Sequence, residues 1–374
     1  MTRSIPKVEN SHLECYDGQI TVQRLSRRRV LTGLGGLVLM GSGMSWLEGC
    51  VTGSTSNSTP NSRPTFPPTR SKVLYIYRGH TDIVSGIAWS PDGQFIASAS
   101  LDRTVQVWKA VDGMKMLTLT SSAPRFALAW SPDGKFLVSS GAGKIIEIWN
   151  VTNGKLILSY KRHTDEITGV AWSVNGKYLA SSSADTTVQI WEATTGKRVL
   201  IYKGHFDSVL TVDWSPDGKY LVSGSLDGTV QIWETVNGKH RLTYKGAKGL
   251  GAVSGAWSPD GTRIASAVNV NKEDEGLVPS FVEIWNASTG KTISSFAGAS
   301  VKNHSQAIVA WSPDGRRVVA SGTNGTAQLH DAATGNILLS YNGHTRFVTG
   351  LAWARDGKRI ASASEDKTVQ IWQV

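Results

Sequence analysis

Residues Gly204 to Glu234 read GHFDSVLTVDWSPDGKYLVSGSLDGTVQIWE, and a recognisable copy of this stretch occurs seven times in the 374-residue chain. Apolar residues alternate over Val209–Trp214, Tyr220–Gly224 and Val230–Trp233, with the tetrapeptides SPDG and LDGT between these runs. A period of two marks half-buried strands, so the stretch reads as strand, hairpin, strand, tight turn, strand. The turns have a mechanism: proline presets φ, aspartate bonds the local backbone, and glycine accepts the positive φ of a short hairpin loop. A fourth strand is expected after the turn at Asn237-Gly238.

The first-strand tryptophans set the period. Trp89, Trp130, Trp172, Trp214, Trp257, Trp311 and Trp353 are separated by 41, 42, 42, 43, 54 and 42 residues, so one unit carries an insertion. Four strands repeated about every forty residues are the pattern of a β-propeller. These residues resemble the WD-repeat family, with Gly-His pairs at Gly79-His80, Gly204-His205 and Gly343-His344 and third-strand tryptophans Trp108, Trp149, Trp191, Trp233, Trp285 and Trp372. The resemblance spans residues 72–374 and implies an all-β, seven-bladed propeller. Val73–Tyr77 matches the fourth strands Leu156–Tyr160 and Val199–Tyr202, whereas the chain stops after a third strand at Gln373-Val374. The N-terminal strand is therefore expected to pair with the last blade and close the ring.

Composition fits one globular domain, with 40% hydrophobic and 18% charged residues. The net charge is +10; residues 1–49 contribute six basic and four acidic groups, and the remainder carries +8. Residues 1–49 read as a targeting segment. Ser26-Arg27-Arg28-Arg29-Val30-Leu31 resembles a twin-arginine export signal, and Leu47-Glu48-Gly49-Cys50 resembles a bacterial lipobox, although Glu48 departs from the small or apolar residue usual there. The resemblance implies acylation of Cys50 and anchorage outside a bacterial cytoplasmic membrane. An uncleaved anchor, or a plain tail on a cytoplasmic protein, is the alternative. Residues 50–71, rich in Ser, Thr and Pro, are expected to form a disordered tether. Cys15 and Cys50 are the only cysteines, so cleavage before Cys50 leaves no intramolecular disulfide.

The family resemblance implies a buried hydrogen-bond chain in each blade, joining a His before the first strand, a second-strand Ser, a tight-turn Asp and the third-strand Trp. The full set occurs as His80, Ser98, Asp102 and Trp108; His163, Ser181, Asp185 and Trp191; His205, Ser223, Asp227 and Trp233; and His344, Ser362, Asp366 and Trp372. The second blade has Gly143 for Asp and no His, the fifth lacks the His, and the sixth has Asn324 and His330 for Asp and Trp. Recurrence in four blades makes these residues structural and not catalytic triads, since buried polar groups require such partners. The other histidines, including His240, His304 and His330, show no ligand spacing, so neither metal nor cofactor is expected.

Strand direction alternates, so first-to-second and third-to-fourth connections share one face, here the turn face, and the other connections share the loop face. Lys135, Lys177, Lys219, Arg316 and Lys358, with Lys115, Lys155, Lys197, Lys239 and Lys291, form a basic ring on the turn face, which is expected to lie toward anionic lipid. Even spacing without interleaved exposed aromatics argues against nucleic acid. On the loop face, the insertion Val268–Ser280 carries Glu273, Asp274 and Glu275, and Arg125, Phe126, Phe206, Leu226, Arg346 and Phe347 break the repeat's pattern. Aromatics and arginines dominate interfaces, so these nine residues are the candidate contacts for a protein or peptide partner. The expected function is a monomeric, membrane-tethered, non-catalytic interaction scaffold. An enzyme or small-ligand site in the central channel is the alternative.

Overall fold

The computed structural model describes residues 71–246, 254–269, 280–297, 308–321 and 325–374. They form seven four-stranded antiparallel sheets, numbered here as blades 1 to 7. In blades 1 to 6 the strands lie in chain order from the centre outward. Blade 4, for example, contains β14 (Val209–Trp214), β15 (Tyr220–Ser225), β16 (Val230–Glu234) and β17 (His240–Tyr244). Blade 7 places β26 (Val348–Trp353) innermost, then β27 (Arg359–Ser364) and β28 (Val369–Gln373), with β1 (Lys72–Tyr77) on the outside. β1 pairs with β28 antiparallel from Lys72↔Gln373 to Tyr77↔Val369, so the first strand completes the last blade.

The first strand of each blade packs against the first strands of both neighbours, closing an inner ring. A tryptophan at its end stitches each blade except the fifth to the one before. Trp130 Nε1 donates to the Ala88 carbonyl at 3.2 Å, and Trp89, Trp172, Trp214, Trp311 and Trp353 repeat the bond at 3.1–3.3 Å to Ala352, Ala129, Ala171, Ala256 and Ala310. At the remaining seam Asp213 stands at the alanine position, and its Oδ2 instead accepts the backbone N–H of Trp257 at 2.9 Å. Seven apolar clusters fill the seven seams. The one between blades 3 and 4 joins Ala180, Val188, Ile190 and Tyr202 to Val209, Val212, Trp214, Leu221 and Trp233.

The hairpin turns follow from their sequence. In all seven blades the glycine of the first turn has φ between 65° and 73°, a left-handed conformation that glycine adopts without the strain a side chain brings. Ser215 Oγ donates to Asp217 at 2.6 Å and accepts the Tyr220 N–H at 2.9 Å, while Asp217 accepts the Lys219 N–H at 3.0 Å. The serine thereby carries as much of the turn as the aspartate. After this turn blades 1 to 4 carry Phe or Tyr, whereas Arg263, Arg317 and Arg359 each lie 4.9 Å over the first-strand tryptophan of the next blade, a cation–π contact.

The insertion starts later than its sequence suggests. β19 (Arg263–Asn269) and β20 (Ser280–Asn286) pair over seven rungs, up to Asn269↔Ser280. β15 and β16 share five. Val268, Asn269 and Ser280 therefore belong to strands, because the added chain lengthens the ladder by two rungs before it leaves it.

Candidate functional site

The four full sets have one geometry. His Nδ1 lies 2.8–2.9 Å from the Asp Oδ2, and His Nε2 lies 2.8 Å from the Ser Oγ. A carboxylate only accepts, so Nδ1 carries a proton and donates to the aspartate. This is the layout of a hydrolytic triad, but every one of these serines has no exposed surface, so no substrate reaches its hydroxyl. The last link is uneven. Trp233 and Trp372 donate to their serines at 3.4 and 3.2 Å, whereas the indole N–H groups of Trp108 and Trp191 have no hydrogen-bond partner in the described structure. Burial alone would raise the Asp227 carboxyl. Bonds from His205, Thr229 and the Phe206 N–H outweigh it and bring Asp227 down to about 2.

Each set is backed by a layer that repeat counting does not show. Tyr202, from the outer strand of blade 3, stacks on Trp233 of blade 4 at 4.5 Å and 4°, and its hydroxyl donates to Gln231 at 2.5 Å. Tyr77–Trp108, Tyr160–Trp191 and Tyr341–Trp372 stack likewise, with Gln106, Gln189 and Gln370 accepting from the hydroxyls. The signal was available as a tyrosine closing every fourth strand that precedes a Gly-His or Arg-His pair.

Blade 2 solves the loss of its His differently, and this corrects the placement of Arg125. Arg125 is only 1% exposed and is not a surface contact. It occupies the position of Val84, Ile167, Val209 and Val348, turns inward, and pairs with Glu147 at 2.7 Å, which replaces the glutamine that blades 1, 3, 4, 6 and 7 carry there. Burial pulls the guanidinium pKa down and Glu147 opposes the shift. In blade 6, His330 stacks on Phe296 at 4.1 Å and bonds the Gly335 carbonyl from Nδ1 at 3.2 Å; burial lowers its pKa, so it stays neutral.

The remaining loop-face candidates do not form one patch. Phe206 and Leu226 lie together on blade 4, 90% and 36% exposed, with their backbones fixed by the Phe206 N–H to Asp227 and the Leu226 N–H to the Ser208 carbonyl. Arg346 is exposed and Phe347 half-buried on blade 7, and Phe126 is half-buried on blade 2, so neither group lies on a blade adjoining blade 4. Glu273, Asp274, Glu275, Asn324 and His304 lie outside the described residues, as do Arg27, Arg28 and Cys50. On the turn face aspartates interleave with the basic ring: Lys219 lies 3.5 Å from Asp217, and Asp133 and Asp314 accept the backbone N–H groups of Lys135 and Arg316.

Comparison with known families agrees with this geometry. Residues 71–109, 294–331 and 335–373 match the WD domain, G-beta repeat, and residues 124–302 match the IFT122 first beta-propeller. The chain is a WD-repeat β-propeller. Among curated relatives, a ribosome biogenesis protein BOP1 homolog of Drosophila virilis is 39% identical over 57 residues, and that of Drosophila ananassae 41% over 54. These alignments cover 15% and 14% of this chain and only 7% and 6% of the relatives, little more than one repeat. In this WD-repeat propeller the charged residues on the described inner strands that depart from the repeat are Arg125 and Asp213, on blades 2 and 4, and each is engaged by protein. Among the described residues no group of three or more His, Cys, Asp or Glu could hold a metal ion.

Proposed function

We propose that this propeller is a non-catalytic scaffold that binds another protein through its loop face, principally at Phe206 and Leu226 of blade 4. The observation that carries the reading is Phe206 itself, an almost fully exposed aromatic on a backbone pinned by a buried His–Asp set. Thr81, Thr164 and Thr345 occupy the same position in the other three full blades, so the fold does not require the ring there. A preorganised aromatic anchor loses little conformational freedom when a partner covers it.

The proposal includes tethering outside a bacterial cytoplasmic membrane, supported by Arg27-Arg28 and by the sequence Leu47 to Cys50. A photo-crosslinking residue at position 206 or 346 should give a discrete adduct in intact cells, and one at position 177 on the turn face should not. Cys50→Ala should abolish fatty-acid labelling. Adducts only from the turn face would overturn the docking face, and an unprocessed chain by intact mass would overturn the anchor.

A further inference from the structure

The rim of the disc carries a groove of about 940 Å³ between the outer strands of blades 3 and 4, β13 (Arg198–Tyr202) and β17. It runs the height of the blade, from Gly238 at the turn face to Phe206 at the loop face. Strands of five residues are about 16 Å long, so the groove matches the length of a short extended segment. β17 is the outermost strand of its sheet, with β16 as its neighbour.

The lining has a definite sign. Lys203 closes one end of the wall formed by β13, and Lys245 continues the wall formed by β17; both are exposed, and neither makes an ion pair with a described residue. His240 and Thr243 add polar atoms, with Nε2 and Oγ1 2.7 Å apart. The single acidic lining residue, Asp227, is already engaged by His205, by Thr229 and by the Phe206 N–H. The groove therefore holds two cations with no ion-pair partner among the described residues, and an exposed phenyl ring at the same loop-face end.

The geometry points to this groove as the docking slot for an extended acidic segment of a partner protein that places an apolar side chain against Phe206. The inference rests on the scaffold reading and names the chemistry of the partner. Carboxylates of the segment would meet Lys203 and Lys245, which follow the loop-face ends of β13 and β17 on opposite walls of the groove. Two lysines and one aromatic are too few to track a nucleic-acid backbone, which calls for a longer basic path with stacked rings.

The test uses the purified full-length protein and a fluorescently labelled peptide of about eight residues alternating Glu and Leu, long enough for the slot. Fluorescence anisotropy should show saturable binding, at least about tenfold tighter than for the Lys–Leu counterpart. Lys203→Glu with Lys245→Glu should weaken it about tenfold or more, Phe206→Ala should weaken it severalfold, and Lys177→Glu on the turn face should leave it unchanged. Thermal melting of each variant shows whether the fold survives. No saturable binding, or equal binding by the doubly reversed variant, overturns the slot. So does preferential binding of single-stranded DNA, or self-association that the double reversal abolishes. Adducts from position 206 in cells alongside a negative peptide result would leave the scaffold reading standing and remove the groove alone.

Discussion

Asp213 stands where the other six blades carry alanine, and it exchanges an indole-to-carbonyl stitch for a carboxylate bonded to the Trp257 backbone. Burial raises its pKa to about 6, against the lowering effect of the Trp257 and Trp214 N–H groups. Between about pH 4 and 6 the folded chain holds a proton that the unfolded chain has released, so this group's contribution to stability falls as pH rises through that window. Asp213→Asn keeps the acceptor and removes the charge. We expect a gain of about 1–2 kcal/mol at pH 7 and a flatter profile between pH 4 and 6. Parallel profiles for the two proteins in thermal melts would rule this account out. The exception at Asp213 is visible in the sequence once the seven copies are stacked. Its pairing with Trp257 is not, because that contact joins two blades, and the repeat period orders residues only within one.

Blade 2 replaces the charge and the volume of its missing His together. In blade 2 a carboxylate missing at Gly143 reappears at Glu147, and Arg125 supplies the matching cation. Arg125 read alone looks like a surface arginine; only its co-occurrence with Glu147 in a blade lacking His and Asp points inward. Glu147→Gln should strand a buried guanidinium and cost about 3 kcal/mol. Arg125→Val with Glu147→Gln restores the residues of the complete blades and should recover most of that loss. If the double variant melts no higher than the single one, the pair is not what compensates for the His. Strand number and turn positions in each blade followed from the period of two and from SPDG or its variants SVNG and ARDG. The limits of the blade 5 insertion did not, because VNVN continues the alternation and pairs as strand to Asn269.

For the molecule as a whole, the arrangement of blades was legible because forty-residue copies can bury their faces only against one another. The closing strand was legible from a surplus at one end matched by a deficit at the other. Deleting residues 72–78 should leave β28 with an unpaired edge and cause aggregation or a large fall in thermal midpoint, whereas deleting residues 1–71 should not. Equal melting of the two truncations would show that β1 does not close the ring. Candidate contacts were the least legible feature at this scale. Residues that depart from the repeat identify themselves in the sequence, but whether they face solvent depends on which neighbouring blade receives them, as Phe206 and Arg125 show.

The pairing of β1 with β28 also sets a timetable for synthesis. The strand that leaves the ribosome early must wait for one that begins about 290 residues later, some 15–60 s at ordinary elongation rates. Throughout that interval the nascent chain presents a lone edge strand at one end and an incomplete arc of blades at the other. A ribosome that stalls or terminates before Val369 releases a chain in which β1 has no mate. Such a fragment is marked for chaperones and proteases by the same edge that the finished ring conceals.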